Sequence, residues 1–266
     1  MASTAPPSAP PASRPAVDKS LLIEGLSKGL RLIECFNDDW PRMTATEAGQ
    51  RAGLTRTAAR RHLMTLVHGG YADTDGKHYW LMPSVLRLGQ SYLEAARLPR
   101  LVQPFLQRLS MQTGETANLS VLDGHEVVYL VRSNSPRVIS IGFQPGSRVP
   151  AHVVSPGVAV LATWAPEGLA DWVASHDFAR FTAHTVTDAP VFADTVQLAQ
   201  QRGYSWVQQQ VDLGLAGLAV ALTDRKGRCV GALSMTFQAS AYPDDSGLTR
   251  LLPPLQEAAQ ALRAIL

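Results

Sequence analysis

Between Met43 and Leu66 the chain reads MTATEAGQRAGLTRTAARRHLMTL, in which two helix starts follow one another with a glycine between them. Thr44-Ala45-Thr46-Glu47 is a T-x-x-E capping box. The threonine hydroxyl takes a free N–H of the first turn, and the glutamate reaches back to the cap. The short helix it opens runs to about Ala52, where Gly53 turns the chain. Thr55 stands where a second N-cap belongs. The helix it opens has roughly three to four turns and stops at Gly69-Gly70. Helical spacing sets Ala59, Leu63, Leu66 and Val67 on one side and Thr57, Arg61 and Met64 on the other, with Arg60 at the flank. A short helix, a tight turn and a second helix make the helix-turn-helix pattern, whose second helix enters the major groove of DNA.

Downstream, YADTDGKHYWL alternates apolar and polar residues around Asp75-Gly76. That is a hairpin signal, and a hairpin directly after a recognition helix reads as a wing. Charge points the same way. Arg51, Arg56, Arg60 and Arg61 stand between Ala48 and Ala72 with no carboxylate, although the whole chain balances 24 Lys and Arg against 22 Asp and Glu. A merely solvated helix face interleaves both signs for i,i+4 pairing. A face of one sign suits a polyanion, through release of its counterions. The partner these features predict is double-stranded operator DNA.

A length of 266 residues suits one large domain or two ordinary ones. The opening MASTAPPSAPPASRPAV is rich in proline and lacks the apolar core of a secretory signal. Residues 1–18 are expected to form an extended, disordered tail. Cys35 and Cys229 are far apart and show no metal-ligand spacing, so two buried thiols in a reducing compartment are expected. No apolar run approaches the ~20 residues of a membrane span. The expectation is a cytoplasmic protein with no membrane partner, no metal and no cofactor.

Residues 21–36 are amphipathic, with Leu22, Leu26, Leu30 and Ile33 on one stripe, and would form the first helix of a DNA-binding domain over residues 19–82. Pro83 can open a linker helix over 83–98, where Leu86, Tyr92 and Leu93 recur and Pro99 breaks the pattern. In residues 99–266 the composition changes. A helix at about Arg100–Gln112 leads into strands ANLSVLD, HEVVYLVRS and RVISIGF. Helical stretches follow at Pro156–Trp164, Glu167–Ser175 and Ala193–Arg202. Strands LAGLAVALT and CVGALSMTF and a helix at Leu248–Leu266 close the chain. Hairpin-paired strands with segregated helices predict an α+β domain. The chain contains no G-x-S-x-G, H-E-x-x-H, C-x-x-C or Walker loop, which argues against an enzyme. A purely architectural DNA binder would need no second domain of mixed polar and apolar strands.

Residues about 20–266 resemble the IclR family of bacterial transcriptional regulators. The resemblance is carried by GLSKGLRLIECF, EAGQRAGLTRTAARRHLMTLVHGGY, GSRVPAHVVSPG, QRGYSWVQQQVDLGLAGLAVAL and DRKGRCVGALSMT. VLDGHEVVYLVR and LPPLQEAAQALRAIL are most similar to the branch that regulates aromatic-acid catabolism, such as the protocatechuate and 4-hydroxybenzoate pathways. The resemblance implies an N-terminal winged helix-turn-helix, a linker helix and a C-terminal GAF-like effector-binding domain. It also implies a homodimer or tetramer and a small organic acid as effector. By position it sets Thr55, Arg56, Thr57, Arg60 and Arg61 on the recognition helix and Lys77 and His78 on the wing. It lines an effector pocket with Ser155, Pro156, Gly157, Ile141, Val207, Leu215, Gly217, Ser234 and Thr236.

The chain departs from that branch where relatives read E-L-E-x-G-L-R-S and it reads Gln210 to Gly217, and where Val158 replaces a Lys or Arg. The glycine leaves room for a ligand bulkier than glyoxylate. Ser234, Thr236 and the Ser155 loop supply donors for an oxyanion, and the free N–H groups of a helix opening at Ser155 favour a carboxylate. His152 is the one histidine in a pocket-like segment and is a hydrogen-bonding candidate. Arg132 and Arg148 are the cations available to a second carboxylate, with structural ion pairs as the alternative. The expected effector is an aromatic carboxylate: a hydroxybenzoate, protocatechuate or a phthalate-type diacid. A small aliphatic keto or hydroxy acid is the alternative.

Overall fold

In a computed structural model, which describes residues 17–135, 142–242 and 246–266, the chain divides into two compact units that part between Ala95 and Ala96. The first unit contains α1 (Glu24–Glu34), β1 (Met43–Thr44), α2 (Ala45–Ala52), α3 (Arg56–His68), β2 (Ala72–Thr74), β3 (His78–Leu81) and α4 (Leu86–Ala95). The capping box forms with both of its bonds, and Gly53 takes the left-handed conformation, φ 67°, that turns α2 into α3. Gly49 lets the two helices close. A Cβ there would lie 2.9 Å from the Leu54 carbonyl oxygen and 3.3 Å from Ala59 Cβ. Small residues continue this contact: Ala45, Ala48, Ala52 and Ala59 share a core with Leu32, Met43, Leu63 and Tyr79.

In α1 it is Leu32 that is buried, while Leu22, Leu26 and Leu30 are exposed. The expected leucine stripe therefore faces away from this unit's core. The wing is a three-stranded antiparallel sheet in the order β1-β3-β2. The linker region is a 3-10 turn at Pro83–Val85 followed by α4, which ends at Ala95 rather than at Leu98.

The second unit contains α5 (Arg97–Thr113), β4 (Thr116–Asp123), β5 (Glu126–Ser133), β6 (Arg148–Pro150), α6 (Ser155–Leu161), α7 (Pro166–Ser175), α8 (Ala189–Arg202), β7 (Ser205–Gln208), β8 (Leu215–Thr223), β9 (Cys229–Gln238) and α9 (Ser246–Arg263). Pro99 does not break α5. It sits in the first turn, where no N–H is needed. Asp188 caps α8 by accepting the Val191 N–H at 3.0 Å, so that helix starts four residues earlier than its apolar pattern implied. The expected strand RVISIGF lies largely outside the described residues. The strands form one antiparallel sheet, ordered β6-β5-β4-β9-β8-β7.

Alternation gives the sheet two different faces. Ala117, Leu119, Leu218, Leu233, Met235 and Phe237 pack with Val102, Leu106 and Leu109 of α5 and Leu251, Leu255 and Leu262 of α9. On the other face Ala219 and Ala232 lie against Ala159 and Val160 of α6. The small side chains there bring α6 close over the middle of the sheet. Among the described residues no helix is long and apolar enough to cross a membrane. Cys35 and Cys229 are free and partly rather than fully buried, and burial pushes both thiols up.

Candidate functional site

The first constellation is the outer face of α3. Thr55 caps the helix by accepting the Ala58 N–H at 3.2 Å, and Ala59 and Leu63 bury its inner side. Thr55, Arg56, Thr57, Arg60 and Arg61 are all exposed. None of these three arginines has an ion-pair partner among the described residues. In the wing, Asp75 accepts the N–H groups of His78 at 2.7 Å and Lys77 at 2.9 Å. These bonds hold its carboxyl well below the usual carboxylate range. His78 Nδ1 lies 3.2 Å from the same carboxylate, so this ring shapes the turn, and Lys77 is the wing cation with no such tie. Arg42, 4.0 Å from the Trp80 ring centre and 3.5 Å from Asp75, braces the wing.

The second constellation lies where the start of α6 meets β8 and β9. Tyr129, Phe143, Val207, Leu215, Gly217, Ser155, Pro156 and Thr236 line a pocket whose rim is Gln209, Gln210 and Val211. Its free space is about 30 Å³, small against the roughly 300–1,000 Å³ of ligand pockets. The rim is held under tension. Gln209 has φ 58°, a left-handed backbone that costs a non-glycine residue about 1–3 kcal/mol. A clasp maintains it: Thr182 Oγ1 donates to the Gln209 carbonyl and Thr185 Oγ1 to the Gln210 carbonyl, both at 2.6 Å. The Val186 N–H donates to Gln210 Oε1 at 3.2 Å. A cleft of about 490 Å³ between α7 and α8 is larger, but its walls are apolar apart from Asp194 and a few glutamines, and Asp194 repels an anion.

Several expected site residues lie together. Ser155, Pro156, Val207, Leu215, Gly217 and Thr236 all line the pocket. Gly217 does not leave open space. A Cβ there would meet Ser155 Oγ at 2.6 Å, so the glycine seats that hydroxyl. Gly157 serves packing, since a Cβ on it would lie 2.2 Å from the Ala151 carbonyl oxygen. The start of α6 offers few free donors. Pro156 has no N–H, and the N–H groups of Gly157 and Val158 already bond the Val154 carbonyl at 3.1 and 3.4 Å. Ser234 is buried two residues along β9 from Thr236, on the same face. Ile141 lies outside the described residues.

One expectation needs correction, and two arginines take the structural role that was their alternative. His152 is not in the pocket. Its Nε2 is 3.1 Å from the Ala179 carbonyl and its Nδ1 2.7 Å from His176 Nε2, while His176 Nδ1 is 3.0 Å from His125 Nδ1. A carbonyl only accepts, so His152 Nε2 carries the hydrogen. His176 must then donate from Nε2 and His125 from Nδ1. With the rings written as neutral, the bonds run one way, from His125 through His176 and His152 to the Ala179 carbonyl. Arg148 is a surface ion-pair residue, 2.8 Å from Asp123 and 2.7 Å from Glu126. Arg132 donates to the Phe143 carbonyl at 2.8 Å and to Asn134 at 2.6 Å. It holds up a pocket wall from behind and does not line it.

Two family models cover most of the chain. The IclR helix-turn-helix domain matches residues 25–76, and the bacterial transcriptional regulator IclR C-terminal domain matches residues 90–264. The chain belongs to the IclR family of bacterial transcriptional regulators. Over 246 residues, 91% of each chain, this IclR-family regulator is 38% identical to the p-hydroxybenzoate hydroxylase transcriptional activator of Acinetobacter baylyi. It is 34% identical to the Pca operon regulatory protein of the same organism, over 92% of this chain and 89% of that one. Its fold also matches a solved structure of the PobR inducer-binding domain from Acinetobacter, a double mutant in complex with 3-hydroxybenzoic acid. That match has a TM-score of 0.60 and 32% identity, over 64% of this chain and all of that one.

Sequence reasoning missed the aromatic wall, Tyr129 and Phe143, whose ring centres are 5.0 Å apart. It also missed the rim glutamines and the threonine clasp. The alternation in HEVVYLVRS puts Tyr129 on the same face as Val127 and so offered one signal. Nothing local ties Thr182 and Thr185 to carbonyls more than twenty residues away.

Proposed function

We propose that this regulator controls an aromatic-acid catabolic operon and that its effector is an aromatic monocarboxylate bearing a ring hydroxyl, such as 4-hydroxybenzoate or protocatechuate. The observation that carries this reading is the make-up of the pocket. Two aromatic rings and the apolar side chains of Val207 and Leu215 accompany the hydroxyls of Ser155 and Thr236, with no charged residue among the described lining. The relatives named above act in hydroxybenzoate and Pca regulation. Among the described residues, Arg148 and Arg132, the two arginines considered for a second carboxylate, are engaged elsewhere, which favours a single carboxylate. DNA contacts are assigned to Thr55, Arg56, Thr57, Arg60, Arg61 and Lys77, with His78 shaping the wing. The working form would be an oligomer acting on operator DNA in the cytoplasm, without a cofactor.

A second reading, a small aliphatic keto or hydroxy acid, draws on the closed 30 Å³ space. The two part on one experiment. Calorimetry should show heat with hydroxybenzoates and none with glyoxylate or pyruvate. Gly217→Leu, which drives a side chain onto Ser155, should abolish that heat and leave operator binding intact. Normal aromatic binding by this variant, or binding of the keto acids alone by the wild type, defeats the reading.

A further inference from the structure

On the pocket side of the sheet the protein leaves a row of buried polar atoms without partners. Among the described residues Asn118 Oδ1, Ser120 Oγ and Ser234 Oγ each have no hydrogen-bond partner, and their residues are at most 1% exposed. The pairing aligns them. Across β4 and β9 Asn118 stands opposite Ser234, and Thr116 opposite Thr236; across β8 and β9 Thr236 stands opposite Gly217. Alternation therefore puts Asn118, Ser234 and Thr236 on the face that meets α6. Asn118 Nδ2 donates to Thr236 Oγ1 at 3.2 Å, so a single hydrogen bond joins the orphaned amide to the pocket wall. A buried group left unpaired costs about what a lost hydrogen bond costs, and such a group calls for an explanation.

The chemistry of the row selects its partner. Asn118 Oδ1 only accepts, and so does a carboxylate, so the two cannot pair. A phenolic hydroxyl can donate to Asn118 Oδ1 and accept at the same time. Thr236 already receives the Asn118 N–H, so its own hydrogen is left to donate, and Ser234 adds a second hydroxyl. At the rim, the Val186 N–H occupies Gln210 Oε1 and leaves Nε2 as the donor end, which suits a carboxylate. We propose that Asn118, acting with Thr236 and Ser234, reads the ring hydroxyl of the effector, so that the hydroxyl end enters first and the carboxylate stays at the Gln210 rim. This assignment rests on the aromatic-acid reading above. It makes Asn118 the residue that separates hydroxylated acids from plain benzoate.

The test is calorimetry on the full chain with benzoate, 3-hydroxybenzoate, 4-hydroxybenzoate and 3,4-dihydroxybenzoate. The wild type should prefer its best hydroxylated acid over benzoate by on the order of tenfold or more. Asn118→Ala should shrink that ratio to about threefold or less. Ser234→Ala, which removes one unpaired oxygen and little volume, should lower it part of the way and serves if Asn118→Ala does not fold. An unchanged ratio in the folded variants overturns the assignment. Equal affinity of the wild type for benzoate and the hydroxylated acids also overturns it, while leaving the aromatic-carboxylate part of the effector reading standing. If no ring acid binds the wild type, both are lost.

Discussion

Arg61 leaves α3 almost opposite Ala59 and Leu63, the side chains that bury the helix. On the proposed docking of α3, a guanidinium at that position would reach the floor of the major groove, where its fork matches guanine O6 and N7. Arg60 projects from the flank, where the same docking would set it against backbone phosphate. The two arginines, adjacent in sequence, should therefore fail differently. Arg61→Ala should relax base preference at one position of each half-site, at a cost of about 1–3 kcal/mol. Arg60→Ala should weaken every sequence alike and flatten the salt dependence of binding. Affinities over a set of singly substituted operators decide the matter, and an Arg61→Ala protein with unaltered base preference would refute the assignment. At this scale the sequence was informative, because helix geometry alone tells which side chains share a face. It could not tell that His78 bonds Asp75 or that Ser155 fills the space beside Gly217.

Among the elements, the segment joining α7 to α8 stands out because it ties distant parts of the effector domain together. At one end Ala179 accepts from His152, and the same segment clasps the pocket rim through Thr182 and Thr185. The histidine chain also makes the fold sensitive to pH, because burial disfavours a charged ring there. Burial, followed by the neighbouring histidines, pushes His176 down to about 4, and burial lowers His152 as well. An unfolded histidine titrates near 6.5. As the pH falls below that value the unfolded chain takes up the proton first. This contribution to stability is complete above about pH 6.5 and is lost on the way down to about 4. The loss should be on the order of 1–2 kcal/mol, after discounting for the partial exposure of His176. Thermal melts between pH 4 and pH 7.5 should show His176→Phe with a lower plateau at neutral pH and a shallower fall in acid than the wild type. Parallel curves would show that the chain does not titrate in this way.

For the whole molecule, α4 has no buried residue although Leu86, Leu88 and Tyr92 are 75%, 45% and 52% exposed. Leu22, Ile23 and Leu26 before and within α1 are exposed as well. A soluble chain keeps so many large apolar side chains on one unit when something covers them. A lone module also buries only ~600–1,000 Å² on DNA, which is little for operator selectivity. A twin subunit answers both demands, with a palindromic or repeated operator matching its symmetry. Light scattering should give at least a dimer at micromolar concentration. Leu86→Lys combined with Tyr92→Lys should shift it toward monomer and weaken operator binding by more than about tenfold, with effector heat retained. A wild-type monomer that also binds DNA as a monomer would defeat this expectation.

What could be read from the chain itself was settled within a few residues, although the Asp188 cap of α8 and the His78–Asp75 bond, equally local, were not read. The caps at Thr44 and Thr55, the turn at Gly53, the Asp75-Gly76 hairpin and the alternation of β4, β5, β8 and β9 all depend on near neighbours. Their bonds close over three or four positions, or follow from a period of two. The arrangement of the pocket needed the folded chain. Leu22, Leu26 and Leu30 looked like a core stripe, yet Leu32 is buried, because more than one face of α1 is apolar and only the packing of α2 and α3 chooses between them. Arg148, Arg132 and His152 had the right chemistry for a ligand and spend it on Asp123 and Glu126, on Phe143, and on His176 and Ala179. Asn118 carried no local signal. Its importance comes from Thr236, which lies 118 positions away in the chain and one hydrogen bond away in space. Pairing over such a separation is decided by which strands become neighbours, and that is a property of the sheet as a whole.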